Sequence, residues 1–283
     1  MKNKLSLFAV PYVGWMSIFV VAPIIIMVVY AFSTAAGDFT LENFARMGTY
    51  TAVFTRSFKL AIIATLIALL IGYPVSYMLS KEGPQVQRIA MVLIMLPMWM
   101  NFLLRTYSWM SILENNGLLN QLFQQIGLID LYNQIAMHFA SDPAAYVPID
   151  HFQMIGTQGA VVLGMVYNYL PFMILPIYSV LVKLDHSLIE AARDLGASSV
   201  QVFRKVILPL SLPGVLSGIT MVFVPSVSTF AISRLLGGGT QMMLGDLIEQ
   251  QFLGGAYNPQ LGAAIALVMM AIVVVCMLVM NRF

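Results

Sequence analysis

Six runs of about twenty apolar residues limit this chain to very few fold classes. A helical run of that length matches the roughly 30 Å hydrocarbon core of a bilayer. Backbone amides and carbonyls in hydrocarbon need internal partners, so such runs are expected to be α-helices. Hydrophobic residues make up 60% of the 283 residues and charged residues 9%, which excludes a soluble globular domain. We predict an all-α polytopic membrane protein that uses 1–283 as one domain, with spans at 9–32, 58–80, 89–110, 160–181, 210–232 and 261–280.

The first run follows two lysines, Lys2 and Lys4, an arrangement that secretory signal peptides share. It is much longer than the roughly 7–15 apolar residues of a signal peptide. We therefore interpret it as an uncleaved first span.

The basic residues predict the orientation of these spans. If both termini lie in the cytoplasm, nine of the 14 Lys and Arg residues fall on the cytoplasmic side, as the positive-inside rule requires. Eight of the 12 acidic residues then fall on the outer side. Such a surface attracts cations weakly, although ordinary solvated loops would carry the same acids. The overall charge of +2 gives no indication of nucleic-acid binding.

One polar stretch between two apolar runs, residues 183–209, is rich in charged side chains and must lie outside the hydrocarbon. Ser187 and Glu190 have the spacing of a capping box and predict the start of a short helix. Gly196 supplies a left-handed residue to end that helix, and Ser198 or Ser199 can cap a second one. We call this segment the coupling stretch. We predict two short helices with a sharp bend, which present three apolar side chains among the charges: Ala191, Ala192 and Leu195.

The coupling stretch resembles the EAA loop of ABC-importer permeases. The likeness rests on Glu190-Ala191-Ala192, then Gly196, then Val206-x-Leu208-Pro209 at the same spacing. The resemblance implies a type I importer permease fold in which this loop is cytoplasmic and docks on an ATPase subunit. An ordinary amphipathic loop helix is the alternative. The coupling residues that the resemblance implies are Glu190, Ala191, Ala192, Arg193, Asp194, Gly196 and Pro209.

Motifs for catalysis are missing from the sequence. Gly237-Gly238-Gly239 is not followed by the Lys and Ser or Thr of a phosphate-binding loop, and the three histidines lack metal-ligand spacing. We predict that the chain is not an enzyme and holds no metal or cofactor, so that ATP and Mg²⁺ bind a separate ATPase.

Ionisable residues are also rare in the spans, which disfavours a proton-coupled secondary transporter. The exception is Arg105, which we expect to extend its charge toward the outer interface.

Three further segments resemble the permeases of spermidine/putrescine importers. They are Leu96-Pro97-x-Trp99-x-Asn101 with Arg105-x-Tyr107, then Val166-Tyr167 with Leu170-Pro171-Phe172-Met173, and then Gly245 with Gln251-Phe252-Leu253. The resemblance implies half of a polyamine path in a bacterial cytoplasmic membrane. Its partners would be a second six-span permease, two ATPase subunits and an extracellular binding protein. A permease for iron(III), sulfate or a phosphonate, and a secondary transporter, remain the alternatives.

A polyamine path needs aromatic faces for cation–π contacts and acceptors for ammonium groups. The candidates in the spans are Trp99, Asn101, Tyr107, Tyr167 and Asn168, with Asp246 and Glu249 as an outer gate. Trp and Tyr are equally typical of interfacial belts. An extended outer segment, residues 131–158, has no counterpart in this resemblance. We assign it to contact with the binding protein or the second permease, with a disordered insertion as the alternative.

Overall fold

The computed structural model describes residues 11–139, 146–280 and 282. The basic start of the first run, with Lys2 and Lys4, lies outside these residues, as do residues 140–145 of the outer segment.

The described residues are helical apart from loops and one isolated bridge between Ser33 and Phe39. The all-α prediction is therefore confirmed for this part of the chain. The helices are α1 (Pro11–Ala31), α2 (Glu42–Arg46), α3 (Thr51–Ser80), α4 (Pro84–Trp99), α5 (Phe102–Leu113), α6 (Leu118–Gln125), α7 (Leu128–Phe139), α8 (Gln158–Leu181), α9 (His186–Asp194), α10 (Ser199–Val202), α11 (Leu208–Ser228), α12 (Ala231–Leu236), α13 (Leu244–Leu253) and α14 (Pro259–Met280).

Within the described ranges, five helical segments are long and apolar enough to cross a membrane. Three of them are α1, α8 and α14. The other two are continuous runs, one joining α2 to α3 over Glu42–Ser80 and one joining α10 to α11 over Ser199–Ser228. The count rises to six if α4 and the following run, Phe102–Gln125, are taken as one span.

The predicted span at 89–110 is divided in the structure into α4 and α5. The two runs meet at an angle of 90°. Pro97 lies in the last turn of α4, and Met100 then adopts an extended conformation. The side chain of Asn101 accepts hydrogen bonds from the amides of Leu103 (2.8 Å) and Leu104 (3.4 Å). A new helix therefore begins at this cap, and it points across the direction of α4.

The chain forms two compact units. The smaller unit contains α1, α2, α13 and α14, with a core around Ala31, Ala263 and Ala264. Asn43 secures the turn after α1, because its amide donates to the carbonyls of Ala31 and Ser33, each at 3.0 Å.

The larger unit contains most of α3 and the helices through α12. Its centre is the contact of α8 with α11, where glycines permit a close approach. A Cβ added at Gly214 would lie 2.8 Å from the carbonyl oxygen of Pro176, and one at Gly218 would lie 2.7 Å from Met173 Sδ. The Gly214-x-x-x-Gly218 motif therefore allows the close packing of α11 on α8. The third helix of this core, α3, is held by Ser76, whose Oγ donates to the carbonyl of Ile174 at 3.1 Å.

Candidate coupling surface and translocation path

The first helix of the coupling stretch, α9, is capped by Asp185. Its carboxylate accepts from the amide of Ser187 at 2.9 Å. The predicted capping box of Ser187 with Glu190 is therefore wrong. The helix starts at His186, which places Ser187 inside the first turn, and Asp185 is a better N-cap at the position before it. Glu190 then lies in the middle of the helix with an exposed side chain.

Gly196 ends α9, as predicted, with a φ of +80°. Its amide donates to the carbonyl of Arg193 at 2.8 Å, and the amide of Ala197 donates to the carbonyl of Ala192 at 3.1 Å. This pair of bonds is the Schellman arrangement, which satisfies the last carbonyls of the helix.

Ser198 begins α10 with a reciprocal capping box. Its Oγ accepts from the amide of Gln201 at 3.4 Å, and Gln201 Oε1 accepts from the amide of Ser198 at 2.8 Å. The predicted second cap is confirmed, and the structure selects Ser198 rather than Ser199. The bend from α9 to α10 is thus defined by backbone hydrogen bonds at both helix ends.

The inner face of the coupling stretch packs on one end of the larger core. Val202 and Ile207 are buried beside Leu181, and Ile189 and Ala192 pack against the same cluster. The prediction that Ala192 is presented outward with Ala191 is therefore wrong. The structure turns it inward, because residues three apart on a helix share a face and Ile189 already points to the core.

The outer face of the coupling stretch carries an exposed apolar ridge among charges. Leu195 is 89% exposed, Val200 66% and Leu188 47%. Ala191, Glu190 and Asp194 are also exposed. Exposed leucines surrounded by charged side chains are typical of a protein-docking surface. Sequence reasoning missed both Leu188 and Val200. The signal for Leu188 is its position seven residues, about two helical turns, before Leu195.

Arg193 has a different position. With Lys81, Tyr77 and Ser199, it lines a cavity of about 340 Å³ between the coupling stretch and the ends of α3 and α8. Lys81 Nζ lies 3.9 Å from the centroid of the Tyr77 ring. Pro209 lies in the first turn of α11. A π-helical turn, Phe203–Ile207, directly precedes α11 and keeps α10 and α11 continuous.

Two of the predicted path residues, Trp99 and Asn101, lie at the break between α4 and α5, and a third, Tyr107, lies in the middle of α5. Trp99 is 76% exposed and Tyr107 is 47% exposed. Asn101 is the N-cap of α5, so its side-chain oxygen already accepts backbone hydrogen bonds. The structure therefore gives Asn101 a helix-starting role, while both rings remain accessible.

The other two span candidates lie on α8. Tyr167 contacts Trp109 edge to face, with ring centroids 5.3 Å apart, and lines an apolar groove beside α3. Asn168 is only 2% exposed and donates to the carbonyl of Gly164 at 2.9 Å. Its Oδ1 has no hydrogen-bond partner among the described residues. Adjacent residues on a helix point in different directions, so the two do not share a surface.

Arg105 is buried, at 8% exposure, and does not extend to the interface as predicted. The cause is the turn at Asn101, which directs α5 back over α8 and α12. Its Nε and Nη1 have no hydrogen-bond partners within the part of the chain that is described. Tyr169 interacts electrostatically with Arg105 and hydrogen-bonds the side chain of Thr229. Sequence reasoning missed Tyr169 and Thr229.

The predicted outer gate lies on α13. Asp246, in the first turn, is 4% exposed, and Glu249 is half-buried. The two carboxylates are three residues apart and therefore lie on one side of the helix. Their part in a gate stays a prediction.

Comparison with known proteins identifies the family. A sequence model described as binding-protein-dependent transport system inner membrane component matches residues 68–283. The chain belongs to this family. The match includes α9, α10 and the whole coupling stretch, so the predicted resemblance to ABC-importer permeases is confirmed.

Curated relatives and a solved structure agree with this assignment. The spermidine/putrescine transport system permease protein PotB of Escherichia coli K12 is 36% identical over 252 residues, covering 86% of this chain and 85% of that protein. PotB of Haemophilus influenzae is 36% identical over 261 residues, covering 89% and 85%. A bacterial ABC transporter that imports alginate has a chain of the same fold, with a TM-score of 0.73 at 18% identity, covering 99% of this chain and 95% of that one. The predicted importer-permease fold is confirmed.

Proposed function

We propose that this chain is the permease subunit of an ATP-driven polyamine importer and forms half of a path for spermidine or putrescine. The observation that carries the proposal is its 36% identity to PotB over 86% of the chain. The match extends over 85% of PotB and is therefore not confined to one motif. The exposed ridge of the coupling stretch supports the same assignment from the structure.

The proposed assembly lies in a bacterial cytoplasmic membrane with both termini of this chain inside. It contains a second permease, two ATPase subunits and an extracellular polyamine-binding protein. The family description, which names dependence on a binding protein, supports the last of these. The ATPase would bind the outer face of α9, where Leu195 is 89% exposed.

The coupling stretch can transmit movement because its parts are joined by defined bonds. The α9–α10 bend is fixed by the caps at Gly196 and Ser198, and α10 continues through the π-helical turn into α11. A displacement of α9 by a closing ATPase would therefore turn α11, and with it α8, as one body. ATP and the loaded binding protein would each bias the same inward-facing to outward-facing equilibrium.

Within the path, we propose that Trp99, Tyr107 and Tyr167 provide ring faces for the ammonium groups. Asn168 supplies a carbonyl acceptor that no described residue occupies. Asp246 and Glu249 would hold a cation at the outer end. Asn101 contributes indirectly, by ending the extended turn that positions Trp99.

Uptake by the reconstituted complex tests this proposal. We expect radiolabelled spermidine or putrescine to enter proteoliposomes only with ATP and the cognate binding protein. Unlabelled polyamine should compete, and sulfate, phosphonate and iron(III) should not. Competition by one of those solutes would assign a different substrate. Uptake that persists without ATP would instead indicate a secondary transporter.

A further inference from the structure

The segment between α5 and α8 contains a helical hairpin, α6–α7, whose polar residues face its own chain. Asn120 is 1% exposed. Its Nδ2 donates to the carbonyl of Phe152 at 3.0 Å, and its Oδ1 accepts from the amide of Phe152 at 2.9 Å. Asn133 makes the same pair of bonds with Ile149, each at 2.9 Å. Each of these two side-chain amides thus offers the returning loop one donor and one acceptor, as a neighbouring backbone strand would.

A third amide completes this attachment. Gln124 Nε2 donates to the carbonyl of Asp150 at 2.8 Å, and the hydroxyl of Tyr146 donates to Asn133 Oδ1 at 2.9 Å. The rotation of both helices about their axes is therefore fixed. Whatever lies on the opposite side of each helix must point away from the loop.

That opposite side carries an apolar row on both helices. On α6 and at its C-cap, Leu118, Leu122 and Ile126 recur every four residues and are 68%, 49% and 63% exposed. The exposed amides of Gln121 and Gln125 border this row. Asn120 and Gln124 are each two residues away, which is a little over half a turn. The amide face and the leucine face of α6 are thus opposed.

The same division continues on α7, where Asn133 lies two residues from both Leu131 and Ile135. The exposed residues at helical spacing on this side are Leu128, Leu131, Ile135 and Phe139, at 37%, 52%, 51% and 82%. We call the two exposed apolar rows together the hairpin stripe. A hairpin with water on this side would carry polar residues at the stripe positions.

Direction and charge indicate what covers the hairpin stripe. The run Phe102–Gln125, which joins α5 to α6, lies at 90° to α4, so with α4 across the bilayer this run lies parallel to the membrane plane. Residues 118–139 contain no Lys or Arg and only one acid, Asp130, which leaves no charge pattern to select a protein partner. The chain leading to α6 also exposes apolar side chains, including Leu103 and Leu104, so the stripe continues a surface suited to lipid.

We infer that α6–α7 is an interfacial hairpin that lies on the bilayer and buries its stripe at the boundary between head groups and acyl chains. Helices of this kind lie in the membrane plane with one apolar side immersed, and Leu and Phe, as at Leu131 and Phe139, are residue types typical of that side. Because α8 separates the hairpin from the coupling stretch, the hairpin occupies the leaflet opposite the ATPase. Only this choice of the outer leaflet rests on the proposed function.

Spin-label accessibility tests the inference in the intact complex in proteoliposomes. The single native cysteine is removed as Cys276→Ala, and labels are placed by Ile135→Cys and Leu122→Cys on the stripe. The matched control is Asp130→Cys, on the other side of α7 and also exposed. We expect a several-fold higher ratio of oxygen to nickel-chelate accessibility at the two stripe positions than at the control.

Equal, water-like ratios at all three positions would overturn the inference. It would also be overturned if the stripe positions become protected only when the loaded binding protein is added, since that result assigns the stripe to a protein interface. If the complex with Ile135→Cys does not assemble, the label at Leu122→Cys still probes the hairpin stripe. No transport is measured, so a failed polyamine assignment leaves this result unaffected.

Discussion

Gly196 controls the bend of the coupling stretch through its backbone conformation. Its φ is +80°, and a Cβ added there would meet no atom within 4 Å. The need for glycine is therefore conformational and not steric. A side chain in the left-handed region costs about 1–2 kcal/mol, with Asn among the residues that tolerate it best.

We therefore expect Gly196→Val to weaken ATPase binding and uptake, while Gly196→Asn retains most of both. Co-purification of the ATPase with the permease measures the first effect. A Val variant that co-purifies like the unaltered protein would show that docking does not depend on this turn.

Leu195 is the most exposed residue of the apolar ridge on the coupling stretch. Its substitution therefore tests the proposed docking surface. We expect Leu195→Ala to reduce ATPase affinity roughly tenfold, because fully burying a leucine side chain is worth about 1.5–3 kcal/mol and a loss of about 1.4 kcal/mol is a tenfold change in affinity. The stability of the permease alone should not change. The matched control is Leu253→Ala, which removes a leucine that is 82% exposed on α13. Equal affinity for both variants, measured by titration of the ATPase, would contradict the docking surface.

Substitution of Trp99 tests whether this residue lines the polyamine path or belongs to the interfacial aromatic belt. We expect Trp99→Ala to lower polyamine uptake several-fold and leave assembly intact, because a ring face near the α4–α5 break is lost. Trp15→Ala is the control, since Trp15 is 61% exposed on α1. Initial uptake rates and gel filtration provide the measurement. Uptake unchanged in the Trp99 variant would assign Trp99 to the interfacial belt.

Among the helices, the contact of α8 with α11 depends on small residues more than on any polar bond. Gly218 faces Met173, whose Sδ and carbonyl oxygen would lie 2.7 Å and 3.1 Å from an added Cβ. The backbone oxygen cannot move aside without moving α8 itself.

Gly218→Ala is therefore expected to destabilise the permease by about 1–3 kcal/mol through overpacking. Gly14→Ala, on α1, is the control, since nothing lies within 4 Å of its added Cβ. Thermal unfolding in detergent compares the two. A transition for Gly218→Ala as high as that for Gly14→Ala would show that the helices can separate without cost.

For the molecule as a whole, the decisive property is which side each loop occupies. The coupling stretch and the loop before α8 lie at opposite ends of α8, a 24-residue helix that can cross the bilayer. We expect Leu195→Cys, in the Cys276→Ala background and expressed without the ATPase, to react with a membrane-impermeant maleimide only after cells are opened. Val147→Cys, at a position 79% exposed, should react in spheroplasts without opening. The reverse pattern would invert the proposed orientation and separate α9 from any cytoplasmic ATPase.

Several local features could be predicted from sequence because they depend on neighbouring residues alone. The left-handed turn at Gly196, the cap at Ser198 and the close approach at Gly214 and Gly218 are of this kind. The cap of α9 was assigned to the wrong residue for the same local reason. Asp185 and Ser187 are both good caps, and the choice between them depends on where Ile189 must point to reach the core.

From its sequence, this chain is predicted to form apolar membrane-spanning helices with a bent polar stretch that fits the ABC-importer family. Chain length, hydropathy and short-range caps are sufficient for that, because each acts within one helix or one turn. Only the tertiary structure decided that Arg105 is buried, that Ala192 faces inward, that α5 turns across α4, and that the amides of α6 and α7 face their own loop. These outcomes depend on which distant segment lies opposite each side chain, and burial against such a segment outweighs what spacing along the chain indicates.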